Sequence, residues 1–258
     1  MLQDFFILGD GTQFSKLQRP RSDEKLALFA PYDVAYTKDT TAPPHYIFPV
    51  NFKYDALLED GYWNLYCFNG ATDDSVCMYM PDMDYNLYEL DKSGVRNQYQ
   101  LLFPQAYALP PHFTTDSIYT NKRKEYLHKK KLLTTIFQAF RIGNVIFLDI
   151  RISDSENKQG GFFSLLYSLT TSRLITLDRI SPDDKTYQLP IAGYMRSEIL
   201  GCDKSSFYTS FPSSMMFQIK SDIGKAHPPF SKAMEAYFKT QDRKSNPVLV
   251  QLTPAANF

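Results

Sequence analysis

The sequence predicts an all-β fold made of four-stranded antiparallel units, with a few short helices. Three observations carry this prediction. Aromatic residues make up 15% of the 258 residues, and most are Tyr (18) or Phe (20), which favour half-buried strand surfaces. Strand-like segments recur with turn signals between them at roughly 8–12-residue spacing. Residues 84–103 show one complete hairpin, in which alternating segments flank a turn at Asp91-Lys92-Ser93-Gly94.

The elements follow in chain order from alternating apolar residues and from the Gly, Pro, Asn and Asp residues between them. Strands are predicted over residues 5–8, 25–29, 34–36, 46–50, 63–68, 76–80, 86–90, 98–103, 133–141, 145–152, 162–169, 173–177, 207–209 and 248–252. Pro43-Pro44 and Pro110-Pro111 mark longer connections, because proline neither continues a helix nor fits a sheet interior.

The clearest unit lies in residues 133–178. Gly143-Asn144 joins two long apolar strands, and a tight hairpin is predicted there because both residues tolerate positive φ. Two further strands follow after polar connections. Four strands within about 45 residues match the length of one four-stranded β-propeller blade.

Three short helices are predicted, over residues 121–131, 212–220 and 230–239. The first is polar and highly charged. In the third, Phe230, Met234 and Phe238 recur at helical spacing and form an apolar face. Ser231, near the start of this helix, is a candidate N-cap.

The composition excludes several function classes. Lys+Arg and Asp+Glu both number 28, so the net charge is zero, and no nucleic-acid partner is expected without a basic excess. No apolar run approaches the ~18–20 residues of a membrane span, so no transmembrane segment is predicted. The first residues lack the basic region and small-residue cleavage site of a signal peptide. We expect a monomer.

The chain has three cysteines, and this odd, sparse count argues against a disulfide framework. Cys67 and Cys77 flank a turn-like segment, and they would face each other if a hairpin were centred on Thr72. Directly opposed strand residues lie roughly 4.5–5.5 Å apart, which a disulfide spans in favourable geometry. A Cys67–Cys77 bridge is therefore one alternative, and two separate buried thiols are the favoured one.

Three pieces of the chain occur in a characteristic order. The first is the hairpin at residues 84–103, followed by Ala108-Leu-Pro-Pro-His-Phe113. The second is the four-strand run at residues 133–178, and the third is the closing strand Asn246-Pro-Val-Leu-Val-Gln-Leu252. In this order they resemble the C-terminal part of bacterial six-bladed β-propeller proteins, a family whose members are usually secreted or lipid-anchored.

The resemblance covers residues 50–258, and residues 1–50 match poorly. It implies a single β-propeller-like domain over residues 1–258 in which about four blades are visible. Either the six-bladed type is truncated here or the circle closes with fewer blades. An extracytoplasmic location, in the periplasm or at the cell surface, is also implied. The family's activity is not established, so the resemblance supplies no catalytic residue.

The segment Asp82-x-Asp84-x-Asn86 is similar to the start of a calcium-binding loop. An EF-hand loop needs Gly at its sixth position and Glu at its twelfth, where this chain has Leu87 and Ser93. The alternating pattern indicates a strand instead. The four histidines also lie outside metal-binding spacings, so neither a metal nor another cofactor is predicted.

A basic cluster at residues 122–131 could contact phosphates, but a solvated helix face is the favoured interpretation because no other part of the chain is basic. Acidic pairs such as Asp73-Asp74 and Asp183-Asp184 fall in predicted turns, which explains them without acid–base catalysis.

Aromatic residues near predicted loops could stack on the apolar faces of sugar rings. The candidate binding residues are Tyr62, Trp63, Tyr194 and Tyr208, with Arg196 as a polar partner. Packing within strands is the alternative, and it is favoured because aromatic residues are abundant in strands.

The function predicted from these observations is a non-catalytic module that binds a glycan or protein ligand, because propellers present loops around a central axis. The alternative is a glycan-active hydrolase or lyase that uses carboxylates on the axial face. Two or more carboxylates or a His–carboxylate pair converging in the central funnel would favour the enzyme, whereas a funnel lined with Tyr, Phe and neutral polar groups would favour binding. A third possibility, a purely structural domain, would present no pocket.

Overall fold

A computed structural model of the chain describes residues 4–17, 31–39, 41–50, 67–70, 73–153, 161–181, 183–189, 199–225 and 228–254. The strands in these residues are β1 (Phe5–Ile7), β2 (Gln13–Lys16), β3 (Tyr32–Thr37), β4 (His45–Pro49), β5 (Phe68–Gly70), β6 (Val76–Tyr79), β7 (Asn86–Asp91), β8 (Gly94–Gln100), β9 (Leu133–Ile142), β10 (Val145–Ile152), β11 (Gly161–Ser168), β12 (Leu174–Thr176), β13 (Gly201–Cys202), β14 (Phe207–Phe211) and β15 (Val248–Leu252). The α-helices are α1 (Arg123–His128), α2 (Ser213–Ile223) and α3 (Lys232–Thr240), with 3-10 turns at Ser117–Tyr119, Leu177–Arg179 and Asp184–Thr186.

The strands form four sheets in which neighbours in sequence are neighbours in space. Sheet 1 is β1-β2-β3-β4, sheet 2 is β5-β6-β7-β8, sheet 3 is β9-β10-β11-β12 and sheet 4 is β13-β14-β15. Antiparallel pairing with local connections is what the hairpin signals predict. The predicted all-β class with a few short helices is therefore confirmed.

Most predicted elements lie where the alternation and turn residues place them. Strands β10 and β15 have the predicted bounds, and α3 begins after Ser231, whose hydroxyl accepts a hydrogen bond from Met234 N at 3.3 Å. Strands β2 and β13 were not predicted. The predicted strand at residues 25–29 and the first four residues, 63–66, of the strand predicted over 63–68 lie outside the described residues.

The chain forms two compact units. Unit 1 comprises residues 1–141 with 147–163, and unit 2 comprises residues 142–146 with 164–258. Within the described residues, no helix is both long and apolar enough to cross a membrane.

In unit 1, sheets 1 and 2 share one hydrophobic core. Phe14 and Val34 from sheet 1 pack with Cys77, Tyr79 and Leu90 from sheet 2. Strand β6 is buried along its whole length, which indicates that both of its faces are covered. The sheets are also joined at their edges, because Asp4 Oδ2, beside β1, accepts hydrogen bonds from the backbone N of Cys67 (2.9 Å) and of Phe68 (3.3 Å).

A second, smaller core in unit 1 lies under α1. It contains Met83, Phe113, Leu127 and Leu132, with Leu109, Tyr119 and Tyr126 packed against it. This core holds the irregular segment between β8 and β9 against the helix.

In unit 2, helices α2 and α3 pack through aromatic residues. The Phe238 ring contacts those of Phe217 at 5.3 Å, Phe230 at 5.2 Å and Tyr237 at 5.1 Å. The apolar face predicted for the third helix is thus used for packing within this unit.

The predicted opposition of Cys67 and Cys77 is wrong. The β5–β6 register pairs Cys77 with Gly70, and the backbone N of Met80 donates to the Cys67 carbonyl at 2.9 Å. This register centres the turn between residues 73 and 74, beyond Thr72. Asp73 caps the turn, because its Oδ1 accepts a hydrogen bond from Ser75 N at 2.9 Å. Both cysteines are buried free thiols.

Candidate functional site

A pocket of about 780 Å³ opens in unit 1 and has three walls. One wall consists of Asp33 at β3 and Phe48–Val50 at the end of β4. The second, residues 81–88, includes the loop before β7 and the start of that strand, and the third is the irregular segment 109–115. These described residues are far apart in sequence, and the fold of unit 1 brings them together.

The second wall is shaped by a turn that Asp84 caps. Asp84 Oδ1 accepts hydrogen bonds from Tyr85 N (2.6 Å), Asn86 N (3.1 Å) and Asn86 Nδ2 (2.7 Å). An aspartate that binds the backbone two residues on starts many turns. Strand β7 therefore begins only at Asn86, and Asp82 and Asp84 lie in the loop before it instead of in the predicted strand.

Behind the pocket lies a buried cluster of charged and polar groups. Lys16, at the end of β2, is only 2% exposed. Its Nζ donates to Asp33 Oδ2 at 3.2 Å and to Asp82 Oδ2 at 3.0 Å. The hydroxyl of Tyr79 donates to the same Asp33 oxygen, and Lys16 Nζ lies 5.6 Å from the centre of the Tyr79 ring.

The surroundings of the Tyr79 hydroxyl keep it protonated. Burial, reinforced by the negative charge of Asp33, raises the pKa of the Tyr79 hydroxyl well above its usual value. Tyr79 therefore remains a proton donor to Asp33. The Lys16 ammonium lies within hydrogen-bonding distance of both carboxylates, and this pairing compensates the cost of burying them.

Aromatic rings line the pocket beside these carboxylates. Phe48 stacks on Tyr79 with ring centres 4.9 Å apart, and it packs against Tyr88 at 4.6 Å. Phe48 adopts a left-handed backbone conformation (φ 59°), which a non-glycine residue adopts only where its surroundings hold it. Here the stacked rings fix the position of Phe48.

The third wall is tied to the rest of unit 1 by Tyr85. The Tyr85 hydroxyl donates to the carbonyl of Leu133 and accepts from Leu109 N at 2.7 Å. His112, an exposed lining residue, has a left-handed backbone (φ 58°), and its carbonyl accepts from Asp116 N at 2.7 Å. His112 thus lies in the longer connection that Pro110-Pro111 predicted.

The lining combines three carboxylates, those of Asp33, Asp82 and Asp84, with the faces of Phe48 and Tyr88. Lys16 is the ammonium that the described contacts place against two of them, Asp33 and Asp82. Such a surface offers hydrogen-bond acceptors and apolar ring faces together.

No group of three or more His, Cys, Asp or Glu side chains in the described residues could hold a metal ion.

Of the five residues predicted from sequence as binding candidates, the structure describes one, Tyr208. Tyr62, Trp63, Tyr194 and Arg196 lie outside the described residues. Tyr208, on β14 in unit 2, donates its hydroxyl to Asp203. This hydrogen bond, with those from Ser205 N and Ser206 N, lowers the pKa of the Asp203 carboxyl to about 2.

The sequence does draw attention to Asp82, Asp84 and Asn86, because their spacing is similar to the start of a calcium-binding loop, although the rest of that loop is missing. The structure places all three in the pocket wall. Lys16 and Asp33 were missed, because neither residue lies within a predicted strand or a recognised motif. The basic cluster at residues 122–131 is solvated as predicted at Lys122 and Lys124, whereas Arg123 is fully buried.

Comparisons of the chain with protein-family models, with curated proteins and with solved structures gave no match.

Proposed function

We propose that the chain is a non-catalytic binding module whose ligand occupies the pocket of unit 1. The observation that carries this proposal is the juxtaposition of carboxylates and aromatic faces in one concave site of about 780 Å³. Cavities of this size suit small ligands or one to three sugar units, and a few placed polar groups orient the ligand in them.

The ligand class follows from the lining. Asp82 and Asp84 offer acceptors to hydroxyl or ammonium groups, and Phe48 and Tyr88 offer ring faces to an apolar side of the ligand. The aspartates of the lining disfavour the anionic groups of sulfated or uronic sugars. A glycan that carries free amino groups combines hydroxyl donors, a positive charge and an apolar ring face, so it fits best.

The convergence of three carboxylates in one pocket also fits the enzyme alternative, but the way in which two of them are held favours binding over glycan hydrolysis. A glycosidase needs two carboxyl groups on either side of the scissile bond, with one of them able to give up a proton. The Lys16 ammonium occupies the position between Asp33 and Asp82, since its Nζ lies within 3.2 Å of both. The carboxylates therefore share an internal cation instead of flanking a space for substrate.

The test is titration of the protein with glucosamine trimer, with N-acetylglucosamine trimer and with a uronic-acid trimer as comparisons. The expected order of affinity is free amine, then N-acetyl, then uronic acid. Asp84→Asn removes the charge but keeps an oxygen for the turn, and it should weaken glucosamine-trimer binding about tenfold, the loss expected for one charge-assisted hydrogen bond.

Asp91→Asn is the matched control, because Asp91 caps the β7–β8 turn by accepting from Ser93 N at 2.8 Å, outside the pocket. Equal affinity for all three trimers, or equal effects of the two substitutions, would contradict the proposal. Release of new reducing ends from any trimer would establish the hydrolase alternative.

We further propose that the sheets are blades of a β-propeller of the type that the sequence resembles. Three four-stranded sheets in sequential order and a fourth sheet of three strands support this proposal. With it goes an extracytoplasmic location, which cell fractionation of the native protein tests: recovery in the cytoplasmic fraction would contradict it.

A further inference from the structure

The third wall of the pocket has little regular secondary structure to hold it. Between Pro110 and Asp116 the backbone is held by turn hydrogen bonds, such as Phe113 N to Pro110 O at 3.1 Å and Thr115 N to His112 O at 3.0 Å. Turn bonds alone leave an irregular segment free to change shape. Its carbonyl groups also need partners wherever they are shielded from water.

Arg123, at the start of α1, supplies these partners. Its Nε donates to Phe113 O at 2.8 Å, and its Nη2 donates to Thr114 O at 3.3 Å and to Asp116 O at 2.9 Å. The Arg123 side chain is fully buried. One guanidinium group therefore binds three carbonyls of the wall from inside the protein.

The chemistry of this contact requires arginine. The guanidinium is planar and presents several donors in a fixed fork, whereas a lysine ammonium acts as a single compact charge. A buried cation is also costly unless it is fully hydrogen-bonded, so Arg123 and the wall carbonyls stabilise each other only in this one arrangement.

Packing transmits the arrangement to the pocket. Phe113 belongs to the small core with Leu127 of α1, and its ring lies 5.4 Å from that of Tyr126. Phe113, Leu109 and Met83 belong to this core or pack against it, and all three also line the pocket. Movement of the wall relative to α1 would therefore change the shape of the pocket.

We propose that Arg123 is the positioning residue of the pocket: by holding the carbonyls of Phe113, Thr114 and Asp116, it fixes the wall that carries His112 and Thr115 and so sets which ligand fits. This inference rests on the proposed function, because it assumes that the pocket binds the ligand. Arg123 itself is absent from the lining, so it acts through the wall.

The experiment compares Arg123→Lys with Lys124→Met, a matched control that removes an exposed cation from the next position of the same helix. Hydrogen exchange resolved by mass spectrometry reports separately on residues 109–119, which contain the third wall (109–115), and on strands β6 and β7. We expect the wall amides of Arg123→Lys to exchange at least about tenfold faster, with β6 and β7 unchanged and no effect of Lys124→Met.

Affinity for glucosamine trimer provides the second readout, and Arg123→Lys should weaken it at least about tenfold while the exchange of β6 and β7 stays unchanged. Uniformly faster exchange throughout unit 1, or faster exchange of the wall with unchanged affinity, would overturn the proposal. If the natural protein binds none of the trimers, the proposed function fails, and hydrogen exchange alone then decides whether Arg123 holds the wall.

Discussion

At the scale of single residues, the pocket depends on charges that the fold buries. Lys16 connects β2 of sheet 1 to Asp82 in the loop before β7 of sheet 2, so one ammonium links both sheets to the pocket wall. Buried ion pairs add little net stability relative to apolar packing, but removing one partner leaves an uncompensated charge. The role of Lys16 is therefore to permit two buried carboxylates at the pocket.

Lys16→Met tests this role. The substitution keeps the aliphatic length but leaves Asp33 and Asp82 without the ammonium, so the free energy of unfolding should fall by about 3–5 kcal/mol. Urea denaturation followed by circular dichroism measures the loss. Lys38→Met is the control, because Lys38 is exposed and its Nζ lies 3.6 Å from Asp10. Comparable losses in the two variants would show that the buried cluster is not what stabilises unit 1.

Residue-scale features of the site were the least predictable from the sequence. Lys16 and Asp82 are 66 positions apart, and nothing in either local sequence indicates that the two side chains meet. Arg123 lies in a run of basic residues that is typical of a solvated helix, yet it is buried because distant carbonyls bind it. A local sequence pattern predicts burial for apolar residues, and it does not predict the burial of a charged residue that distant groups bind.

At the scale of elements, the hairpins were predictable because their turn chemistry is local. The β7–β8 hairpin has Asp91 as cap and Gly94 at φ 107°, a conformation that favours glycine. The β9–β10 hairpin turns at Gly143, with φ 53°. Strand β8 extends over Gly94–Gln100 instead of residues 98–103, because pairing with β7 across this turn sets its register.

Gly94→Ala tests how far the β7–β8 turn depends on its glycine. A Cβ atom at Gly94 would lie 3.3 Å from the hydroxyl of Tyr36, which itself donates to the Ser93 carbonyl at 3.2 Å. Strain from the positive φ adds to this close contact, so the variant should lose more than about 1 kcal/mol of stability.

Gly161→Ala is the control for this substitution, because an added Cβ there would meet no atom of the described residues within 4 Å and the backbone is not in the positive-φ region. The free energies of unfolding of both variants are compared by urea denaturation. A loss for Gly161→Ala equal to that for Gly94→Ala would show that the turn conformation is not the cause.

At the scale of the whole chain, the fold class was predictable and the site was not. Alternation and turn residues specify each sheet separately, since each sheet is built from consecutive strands. The pocket instead combines β3, β4, the loop before β7 and the segment 109–115, so it exists only after sheets 1 and 2 have packed on each other. That packing depends on long-range complementarity, which no single segment of the sequence encodes.

The shared core of unit 1 leads to the last prediction, which uses the cysteines as probes. Burial raises the pKa of the Cys67 and Cys77 thiols far above their usual range, so neither forms a thiolate in the folded protein. Cys202 of unit 2 is partly exposed, and burial raises its pKa only to about 11. In native protein at pH 8, N-ethylmaleimide should therefore modify Cys202 at least about tenfold faster than Cys67 or Cys77.

Added urea extends the test to the cooperativity of unit 1. Cys67 and Cys77 belong to the core that also holds Phe14 and Val34 of sheet 1, so neither thiol can become accessible unless the packing between the sheets is lost. Both should then become reactive at one urea concentration, the midpoint of the unfolding transition. Separate midpoints, modification of Cys77 as fast as that of Cys202 without urea, or a Cys67–Cys77 cross-linked peptide under non-reducing conditions would contradict the shared core.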